Sequence, residues 1–575
     1  DHCNPTLTNV TFSANVAYFM MGSGMYNLAS NPTLTNCILW GDTAYLIYNY
    51  EQSTPVISYS DVQGGCPSGT TCNHVINLDP RFVRNPSPGG DGIWGTPDDD
   101  YGDLRLQLIS PAIDAGDNTV VPTGITTDLD DNPRFVDIPF VLNTGLGTPP
   151  IVDMGAYETQ LPVLADTVLY VTPEGLGDCL SWADACDLRS ALLMAGPETE
   201  IWLQKGVHKP TTGSDRTATF TLKSNVAIYG GFAGIETQRE QRNWETNVTI
   251  LSGDIGLAGE HSDDSFHVVF CSGLEASTIL DGFTIRDSYA NGPAPNNSGG
   301  GLYNSHCNTT LTNLTFTYNA AYTGGGMYNN ASNPTLTNVI FIRNSAVLGG
   351  GLYNGGGSSP VLTNVSFTAN TVSDSGGGMY NDWSVAWLRN VKFTGNQAIQ
   401  GGGMYNEVSN PMLYNVTFAD NISGYPGGGM YNDQSYPTLY NGIVWGNIPD
   451  QIINSESMPI IYYSDIQDGC PFSADCSQVI NLDPQFMRSP SPGADGAWGT
   501  ADDDYGDLRL QLTSPAIDAG DNSIVPPDVT TDLLGFPRFV DILSVFDTGF
   551  GTPPIVDMGA YEAQVVVVYL PIVTK

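Results

Sequence analysis

A short repeat governs the middle of this 575-residue chain. With small variations, each copy reads Gly-Gly-(Leu/Met)-Tyr-Asn, a loop, and then Leu-(Thr/Tyr)-Asn-(Val/Leu)-x-Phe-x-x-Asn. The tyrosines recur at steps of 25 to 27 residues, at Tyr303, Tyr328, Tyr353, Tyr380, Tyr405 and Tyr431. A period this short is too small for a domain and too irregular for a heptad, and it fits one turn of a solenoid.

The residues within each repeat favour strands. Runs such as Leu336–Phe341 are β-branched and aromatic, with Gly or Asn-Pro beside them. Helical solenoids need two runs of ten or more helix formers per period, and the repeat offers neither. We therefore predict an all-β fold, a parallel β-helix of about 25 residues per coil, in which each turn lies on the next at roughly 4.8 Å.

Stacking of like on like predicts columns of identical side chains. Tight corners or close backbone approach explain the glycine triplets, such as 324–326. The sequons at Asn364 and Asn415 also fit glycosylation, but Asn338 holds the same register without one. The predicted aromatic column is Phe316, Phe341, Phe367, Phe393 and Phe418, and the predicted amide ladders are Asn313, Asn338, Asn364, Asn390, Asn415 and Asn441, and Asn319, Asn344, Asn370, Asn396 and Asn421.

A second recurrence divides the chain into tandem units. The segment 153–158 returns 404 positions later at 557–562, and 110–118 returns at 514–522. The first unit starts in mid-coil, so we expect Asp1 to be a cut end or an end that another subunit covers. We predict last coils of a first helix at 1–65, a terminal domain at 66–160, a linker and cap at 161–198, the main helix at 199–465, a second terminal domain at 466–564 and an apolar tail at 565–575.

Local patterns predict how the second unit begins and ends. A strand is expected at 168–171, followed by an amphipathic helix from Leu188 to Ala195 that ends at Gly196-Pro197 and caps the first coil. The tail at 565–575 fits a closing strand, an addressing tail or a strand donated to a neighbour.

The net charge and the cysteine spacing restrict the partners and the cellular location that this protein can have. The chain has 19 basic and 60 acidic residues, which argues against nucleic acid as a partner and agrees with divalent cations. No apolar run reaches the roughly 20 residues that a membrane-spanning helix needs. The spacings predict disulfides Cys66–Cys72, Cys470–Cys476 and Cys179–Cys186, hence an extracellular protein, with a reduced cytosolic protein as the alternative.

Several motifs carry a family resemblance. The segments 182–185, 201–203, 229–234, 251–254 and 281–285 resemble the opening of bacterial right-handed parallel β-helix proteins of the polymorphic outer-membrane-protein type. The segments 514–520 and 557–562 resemble the choice-of-anchor Q domain. The resemblance implies a right-handed coil and an exported bacterial surface protein rather than a reaction. The chain departs from the usual plan because one of its two terminal domains is internal, which suggests a spacer or joint there.

Two acidic segments could bind metal. Five carboxylates lie within 495–507 and recur at 91–103, hinged by glycines. Such a loop can converge on Ca²⁺, which takes six to eight oxygen ligands, although an acidic solvated turn is the alternative. The predicted ligands are Asp495, Asp502 and Asp504, with their copies Asp91, Asp98 and Asp100. Residues 260–267 hold two histidines and three acids, which fit a metal site less well than a loop leading into a strand.

The charged residues of the repeats give little support for a catalytic function. A polysaccharide lyase or hydrolase would need carboxylates on one face of neighbouring coils. The charged residues of the regular coils look scattered rather than in register, at Arg343, Asp374, Asp382, Arg389, Lys392, Glu407, Asp420 and Asp433. We expect a non-catalytic structural or adhesive rod that associates end to end in a fibre, sheath or matrix. A polysaccharide-degrading enzyme and a passive adhesin for cell-surface glycans, with tyrosines stacked on sugars, are the alternatives.

Overall fold

The computed structural model describes residues 2–17, 22–43, 45–138, 141–160, 163–274 and 277–564. Asp1, the start of the predicted linker at 161–162 and the apolar tail at 565–575 lie outside these residues. The chain groups into two compact units, one of 1–163 with 175–186, the other of 164–174 with 187–575. The segment 175–186 thus belongs with the first unit.

The first unit contains a parallel β-coil followed by a small antiparallel pair. Strands β1, β4, β7, β5 and β2 form one parallel sheet with β8 on β7, β3 pairs with β6 in parallel, and β9 pairs with β10 in the antiparallel sense. The strands are β1 Thr6–Thr8, β2 Thr11–Ser13, β3 Met25–Leu28, β4 Thr33–Thr35, β5 Ile38–Trp40, β6 Ile47–Tyr50, β7 Val56–Val62, β8 Thr71–Ile76, β9 Phe82–Arg84 and β10 Asp103–Leu106.

The second unit is a parallel β-helix with two long sheets. A 19-stranded sheet contains β11–β13, β15, β16, β18, β20, β22, β23, β25, β26, β28, β29, β31, β32, β34, β35, β37 and β38, and a nine-stranded sheet contains β14, β17, β19, β21, β24, β27, β30, β33 and β36. Strands β39 and β40 form a separate antiparallel pair. The predicted solenoid is therefore confirmed.

The strands of the second unit are short and follow the repeat. They are β11 Val168–Val171, β12 Thr199–Gln204, β13 Gly206–His208, β14 Phe220–Thr221, β15 Val226–Phe232, β16 Thr249–Ser252, β17 Val269–Ser272, β18 Ile279–Ala290, β19 Leu302–Ser305, β20 Thr310–Ala321, β21 Met327–Asn330, β22 Thr335–Ile342, β23 Ser345–Leu348, β24 Leu352–Gly355, β25 Val361–Thr368, β26 Thr371–Ser375, β27 Met379–Asp382, β28 Trp387–Thr394, β29 Gln397–Ala398, β30 Met404–Glu407, β31 Met412–Ala419, β32 Ile422–Ser423, β33 Met430–Asp433, β34 Thr438–Tyr440, β35 Ile443–Trp445, β36 Ile452–Ser455, β37 Ile460–Ile466, β38 Asp475–Ile480, β39 Phe486–Arg488 and β40 Asp507–Leu510.

Among the described residues, one α-helix, α1 at Leu188–Met194, lies near the start of the second unit. The Asp187 side chain accepts from the Ser190 N–H at 2.8 Å and so caps the helix N-terminus. Leu188, Ala191 and Leu192 are buried, which gives the helix the apolar face that its spacing predicts. Short 3₁₀ helices lie at Asn118–Val120, Arg239–Gln241, His261–Asp263 and Asn522–Ile524. Within the described residues, no helix is long and apolar enough to cross a membrane.

The phenylalanines of the repeat form a file inside the coil. Neighbouring rings stack nearly parallel with centroids 4.6 to 4.9 Å apart. All five side chains, at Phe316, Phe341, Phe367, Phe393 and Phe418, are fully buried. Stacked rings at this spacing bury large apolar areas and fix the register of adjacent strands.

The glycine triplets serve two purposes. Only the first glycine of each triplet needs a left-handed conformation, as Gly324 does with φ +64°. A Cβ on Gly326 would lie 2.6 Å from the Gly351 carbonyl oxygen and 2.8 Å from the Phe341 ring. The later glycines therefore let the backbone of one coil approach the next coil and the phenylalanine file.

The two predicted asparagine columns differ in their physical role. Asn319, Asn344, Asn370, Asn396 and Asn421 are buried, and each amide Nδ2 donates to the Oδ1 of the next at 2.8 to 3.0 Å, ending at Asn447. In the other column, the residues sit at φ +50° to +57°, a left-handed bend that asparagine tolerates better than most residues. Backbone geometry thus explains this second column independently of stacking.

This second ladder is also shorter than predicted. Amide hydrogen bonds of 3.0 to 3.3 Å link Asn313, Asn338, Asn364 and Asn390. Asn415 instead donates to the Asp557 carbonyl oxygen at 3.3 Å, and Asn441 donates to that of Asp521 at 3.1 Å. Including these two residues in the ladder was wrong, because residues 466–564, which we call the terminal segment of the second unit, cover their side of the coil.

The terminal segment of the second unit packs against the outside of the last coils. Ile443 of the coil shares an apolar cluster with Phe486, Leu510 and Met558. The Ala560 N–H donates to the Thr417 hydroxyl at 2.9 Å. Ile38 packs in the same way against Phe82 and Met154 in the first unit. The terminal segments therefore cover an outer face of the coils with an apolar cluster, which in the first unit is separate from the cluster inside the coil.

Candidate functional site

The predicted calcium ligands of the second unit lie in one exposed loop, where each has donors of its own. The Asp504 carboxylate forms a two-point ion pair with Arg488 at 2.6 and 3.0 Å, which lowers the pKa of Asp504. Asp502 accepts from the Thr500 hydroxyl at 2.8 Å and the Ala494 N–H at 2.7 Å. Asp495 accepts from the Ala497 N–H at 2.8 Å.

The first unit repeats this arrangement. Asp100 pairs with Arg84 at 2.7 Å, Asp98 accepts from the Thr96 hydroxyl at 2.7 Å, and Asp91 accepts from the Ile93 N–H at 2.8 Å. These contacts organise the loop without requiring a shared cation. Calcium at these six residues stays a prediction.

The same loop fastens the terminal segment to the coil in the second unit. Arg343 on the coil donates to the Thr500 carbonyl oxygen at 2.7 Å and to the Tyr505 hydroxyl at 3.1 Å. The Trp498 side chain lies over Gly395, where an added Cβ would be 2.7 Å from the indole ring. Trp498 is buried at 5% exposure. The loop thus has a structural role in joining the two parts.

The histidine and acid segment at 260–267 does not gather its side chains. Glu260 caps the 3₁₀ helix by accepting from the Ser262 N–H at 3.2 Å. The exposed His261 Nδ1 lies 3.0 Å from the Asp264 carboxylate, whereas the buried His267 Nδ1 lies 3.1 Å from the Gly299 carbonyl oxygen. The two imidazoles therefore have separate partners, as expected for a loop leading into a strand.

The predicted cysteine pairs are bonded in the structure, at Cys66–Cys72, Cys179–Cys186 and Cys470–Cys476. A fourth disulfide joins Cys271 to Cys307 across a sequence separation of 36 residues. Sequence spacing missed this pair, because its members lie on successive coils rather than in one loop.

A row of acidic residues runs along the nine-stranded sheet. Asp382, Glu407 and Asp433 are in-register partners on β27, β30 and β33, so describing the coil charges as scattered was wrong for these three. The Tyr353 hydroxyl donates to Asp382 at 2.9 Å, and the Tyr380 hydroxyl donates to Glu407. Like charges directly opposite one another destabilise a sheet, and these tyrosine hydroxyls offset part of that cost.

The tyrosines beside this row stack on one another. Ring centroids from Tyr303 to Tyr431 are 4.9 to 5.5 Å apart. Burial, with the neighbouring carboxylates, raises the pKa of Tyr353 and of Tyr380. Because each ring covers the face of the next, these tyrosines do not offer the open faces that stacking on sugars requires.

A groove of about 680 Å³ lies along the long sheet of the second unit. Its lining includes Asn338, Ser366 and Lys392, with the aromatic residues Trp244 and Tyr561. Of the described residues that line the groove, Glu245 and Lys392 carry charge. Burial lowers the pKa of Lys392. The groove combines amide groups, an aromatic edge and one cation, a composition suited to polar ligands.

The signature residues of the terminal segment form a buried charged centre. Arg538 and Glu562, both fully buried, approach to 3.7 Å, and the Arg538 guanidinium donates to the Asp557 carbonyl oxygen at 3.1 Å. The first unit repeats this pair as Arg134 and Glu158 at 3.6 Å. Burial raises the pKa of Glu562 and brings that of Asp557 to about 7. The ion pair and the hydrogen bond therefore join the Arg538 stretch to the 557–562 stretch inside the terminal segment.

Three acids near this centre do converge. Carboxylate oxygens of Asp518, Asp541 and Asp547 all lie within 4.8 Å of one another, and no other such group of His, Cys, Asp or Glu occurs among the described residues. Burial, together with the charges of Asp547 and Asp541, raises the pKa of Asp518 to about 6. Sequence spacing missed this group, because Asp518 lies in an earlier stretch of the chain than the loop that carries Asp541 and Asp547.

The sequence matches no protein-family model and no curated protein. Among solved structures, the chain is similar to one described as "Crystal structure of pectate lyase Pel9A", at 13% sequence identity and a TM-score of 0.39. The match covers 70% of this chain and 98% of that one.

Proposed function

We propose that this chain is an extracellular, non-catalytic structural protein whose β-helix serves as a stiff building block of a bacterial surface fibre, sheath or matrix. The observation that carries the proposal is the continuity of its internal ladders. Besides the phenylalanine file and the buried amide ladder, the asparagines that follow each tyrosine form a further buried ladder. Its amide hydrogen bonds are 2.8 to 2.9 Å long, from Asn304 to Asn454.

These ladders resist bending and local opening. Each coil shares hydrogen bonds with the coils on both sides, so opening one coil leaves buried amides of its neighbours without partners. Nine strands at about 4.8 Å spacing give the second sheet a length of about 40 Å. Because the repeated residues stabilise stacking of the coils along this whole length, they support a mechanical role.

Location outside the cell is supported by four disulfides and a net charge of −41. The resemblance to polymorphic outer-membrane-protein repeats and to choice-of-anchor Q domains points in the same direction. The acidic surface would let copies associate end to end only where cations or specific contacts offset repulsion.

Protease resistance and electron microscopy of the purified chain test this proposal. Under thermolysin, we expect the first cuts at loops outside the coils and survival of the segment 279–466, mapped by mass spectrometry. With rising protein and calcium concentration, micrographs should show end-to-end assemblies. Early cuts within the coils would contradict stiffness, and isolated particles under every condition would contradict assembly.

Action on polysaccharides is the second candidate function, supported by the acidic row at Asp382, Glu407 and Asp433. Strands on successive coils lie about 4.8 Å apart, close to the roughly 5 to 5.5 Å that separates the two carboxyl groups of retaining glycosidases. The groove lies on the other sheet and contains none of these acids. Neutral and acidic polysaccharides incubated with the protein, with detection of reducing ends and unsaturated products, separate the candidates. Turnover that E407Q abolishes, while D528N preserves it, would establish an enzyme and contradict the structural proposal.

A passive adhesin would instead bind glycans without turnover. Binding on a glycan array that W244A removes would support recognition through the groove, because Trp244 is exposed whereas the aromatic residues Phe283 and Tyr561 of the lining are buried. Binding that survives W244A and also survives substitution of Lys392 by methionine would exclude the groove as the site.

A further inference from the structure

Asp518 in the terminal segment is a buried carboxylate without hydrogen-bonding partners. Its residue is 0% exposed, and neither carboxylate oxygen completes a hydrogen bond with any described residue. The Ile542 N–H points towards it and favours its ionised form, but does not reach normal hydrogen-bond geometry. A buried ionised carboxylate without donors is costly unless a cation compensates it.

The two groups that face Asp518 are acids as well. Asp541 and Asp547 bring their oxygens within 4.8 Å of its own and reach solvent more readily, so the cluster has a buried floor and an open side. The charges acting on Asp518 are those of Asp547 and Asp541, and both have its own sign. Three carboxylates converge here with their mutual repulsion uncompensated.

The backbone holds this geometry in place. The Asp518 carbonyl oxygen accepts from the N–H groups of Thr548 and Gly549 at 2.9 and 3.0 Å. Gly549 approaches so closely that an added Cβ would lie 2.0 Å from the Gly520 carbonyl oxygen. The loop that carries Asp547 is therefore fastened to the segment that carries Asp518.

The first unit provides an internal comparison. The positions 404 residues earlier hold Asp114, Asp137 and Asn143, so one acid is replaced by an amide. The Asn143 amide donates to Asp137 at 3.2 Å, and the Ile138 N–H donates to Asp114 at 3.4 Å. In the first unit the Asp114 Oδ2 therefore has a donor while its Oδ1 has none, and an amide that donates to Asp137 stands where the second unit has a third carboxylate.

We propose that Asp518, Asp541 and Asp547 bind a divalent cation, with Ca²⁺ as the preferred ion. Oxygen ligands lie 2.3 to 2.6 Å from Ca²⁺, so opposite ligands can be about 4.8 Å apart, whereas Mg²⁺ needs a tighter set at about 2.1 Å. The open side leaves room for water to complete the coordination. The ion joins the loop at 541–549 to the interior of the terminal segment.

Calorimetric titration of the full chain, stripped with EDTA, with CaCl₂ and separately with MgCl₂ tests the site. We expect a dissociation constant on the order of 10⁻⁴ M for Ca²⁺ and weaker binding of Mg²⁺. D547N, which reproduces the first unit, should remove one bound Ca²⁺ per chain or weaken it by about tenfold or more. N143D should add one Ca²⁺ per chain by completing the matching cluster.

Stability measurements separate loss of the ion from loss of the fold. In EDTA, D547N should melt at or above the temperature of the natural sequence, because it removes repulsion. In excess Ca²⁺ the order should reverse. D528N, which changes an exposed acid of the same terminal segment outside both acidic clusters, is the matched control and should bind as before. Unchanged Ca²⁺ binding in D547N, loss of the ion in D528N alone, or no binding in the natural sequence would each overturn the proposal.

Discussion

Replacing Asn370 with alanine removes one step of the buried amide ladder. The Asn370 Oδ1 accepts from the backbone N–H of Asn344 at 3.1 Å and from its Nδ2 at 3.0 Å. The Asn370 Nδ2 donates to the Phe341 carbonyl oxygen and to the Asn396 Oδ1, both at 2.9 Å. The substitution therefore takes one partner from each of four buried groups.

The loss of stability caused by this substitution depends on which of the four groups keep another hydrogen-bond partner. The Asn344 Nδ2 retains the Phe316 carbonyl oxygen at 2.9 Å, and the Asn396 Oδ1 retains the Asn370 backbone N–H at 3.0 Å. The Asn344 backbone N–H loses the partner it has in the ladder. The Phe341 carbonyl oxygen likewise loses its ladder partner. A buried group that loses its partner costs about 1 to 3 kcal/mol, so two such groups at about 2 kcal/mol each give about 4 kcal/mol. Opening of the adjacent coils should become about 1,000-fold more frequent.

Hydrogen exchange with mass spectrometry measures this locally, which suits a repeat fold because each coil contacts only its neighbours and can open by itself. Peptides covering β22 to β28 should exchange faster, and peptides covering β36 and β37 should not change. The matched control is Asn364→Gly, which preserves the positive φ and removes only the surface bonds of Asn364, at about 1 kcal/mol or less. Equal effects of the two substitutions would refute the argument that the buried ladder provides the stability.

Other perturbations test the core, the glycines and a buried acid. Phe367→Ala should cost about 3 to 5 kcal/mol, read as faster exchange of the neighbouring coils, because its fully buried ring stacks on both sides. G326A should prevent stable folding, since its Cβ would lie 2.8 Å from the Phe341 ring, whereas G424A, with its nearest atom at 3.9 Å, should melt like the natural sequence. Burial raises the pKa of Asp465 to about 7, so the native state holds a proton that the unfolded chain releases near pH 4. Stability should therefore fall between about pH 4 and pH 7, and D465N should flatten that fall by on the order of 2 kcal/mol in urea titrations; an unchanged slope would contradict this.

The fold was predictable because recurrence and stacking are linked. Residues that face the same environment in every coil repeat at the coil period, so Phe341 and Phe367 fall in one file from the sequence alone. The ladder through Asn329 and Asn354 has the same signal, because an asparagine follows each repeated tyrosine. This ladder was not among the columns predicted from the sequence.

The candidate site was less predictable because it depends on how loops fold. Asp541 and Asp547 share the loop at 541–549, but Asp518 lies in an earlier stretch of the chain, and only the path of that loop brings the three together. The exposed acidic loop offered a stronger pattern along the chain, yet its carboxylates have their own donors, such as Arg488 for Asp504. Density of acids along a sequence does not distinguish a cluster from a row of separate hydrogen bonds.

Register trapping by disulfides tests most directly whether the repeats lie in line. Ile340 and Ser366 are in-register partners on adjacent coils, and a Cα separation near 5 Å suits a disulfide. After mild oxidation, peptide mapping of Ile340→Cys with Ser366→Cys should show the cross-link. Ile342→Cys with Ser366→Cys, offset by two residues, should remain reduced. A cross-link in the offset pair and none in the aligned pair would contradict the stacked coil on which the ladders and the proposed mechanical role depend.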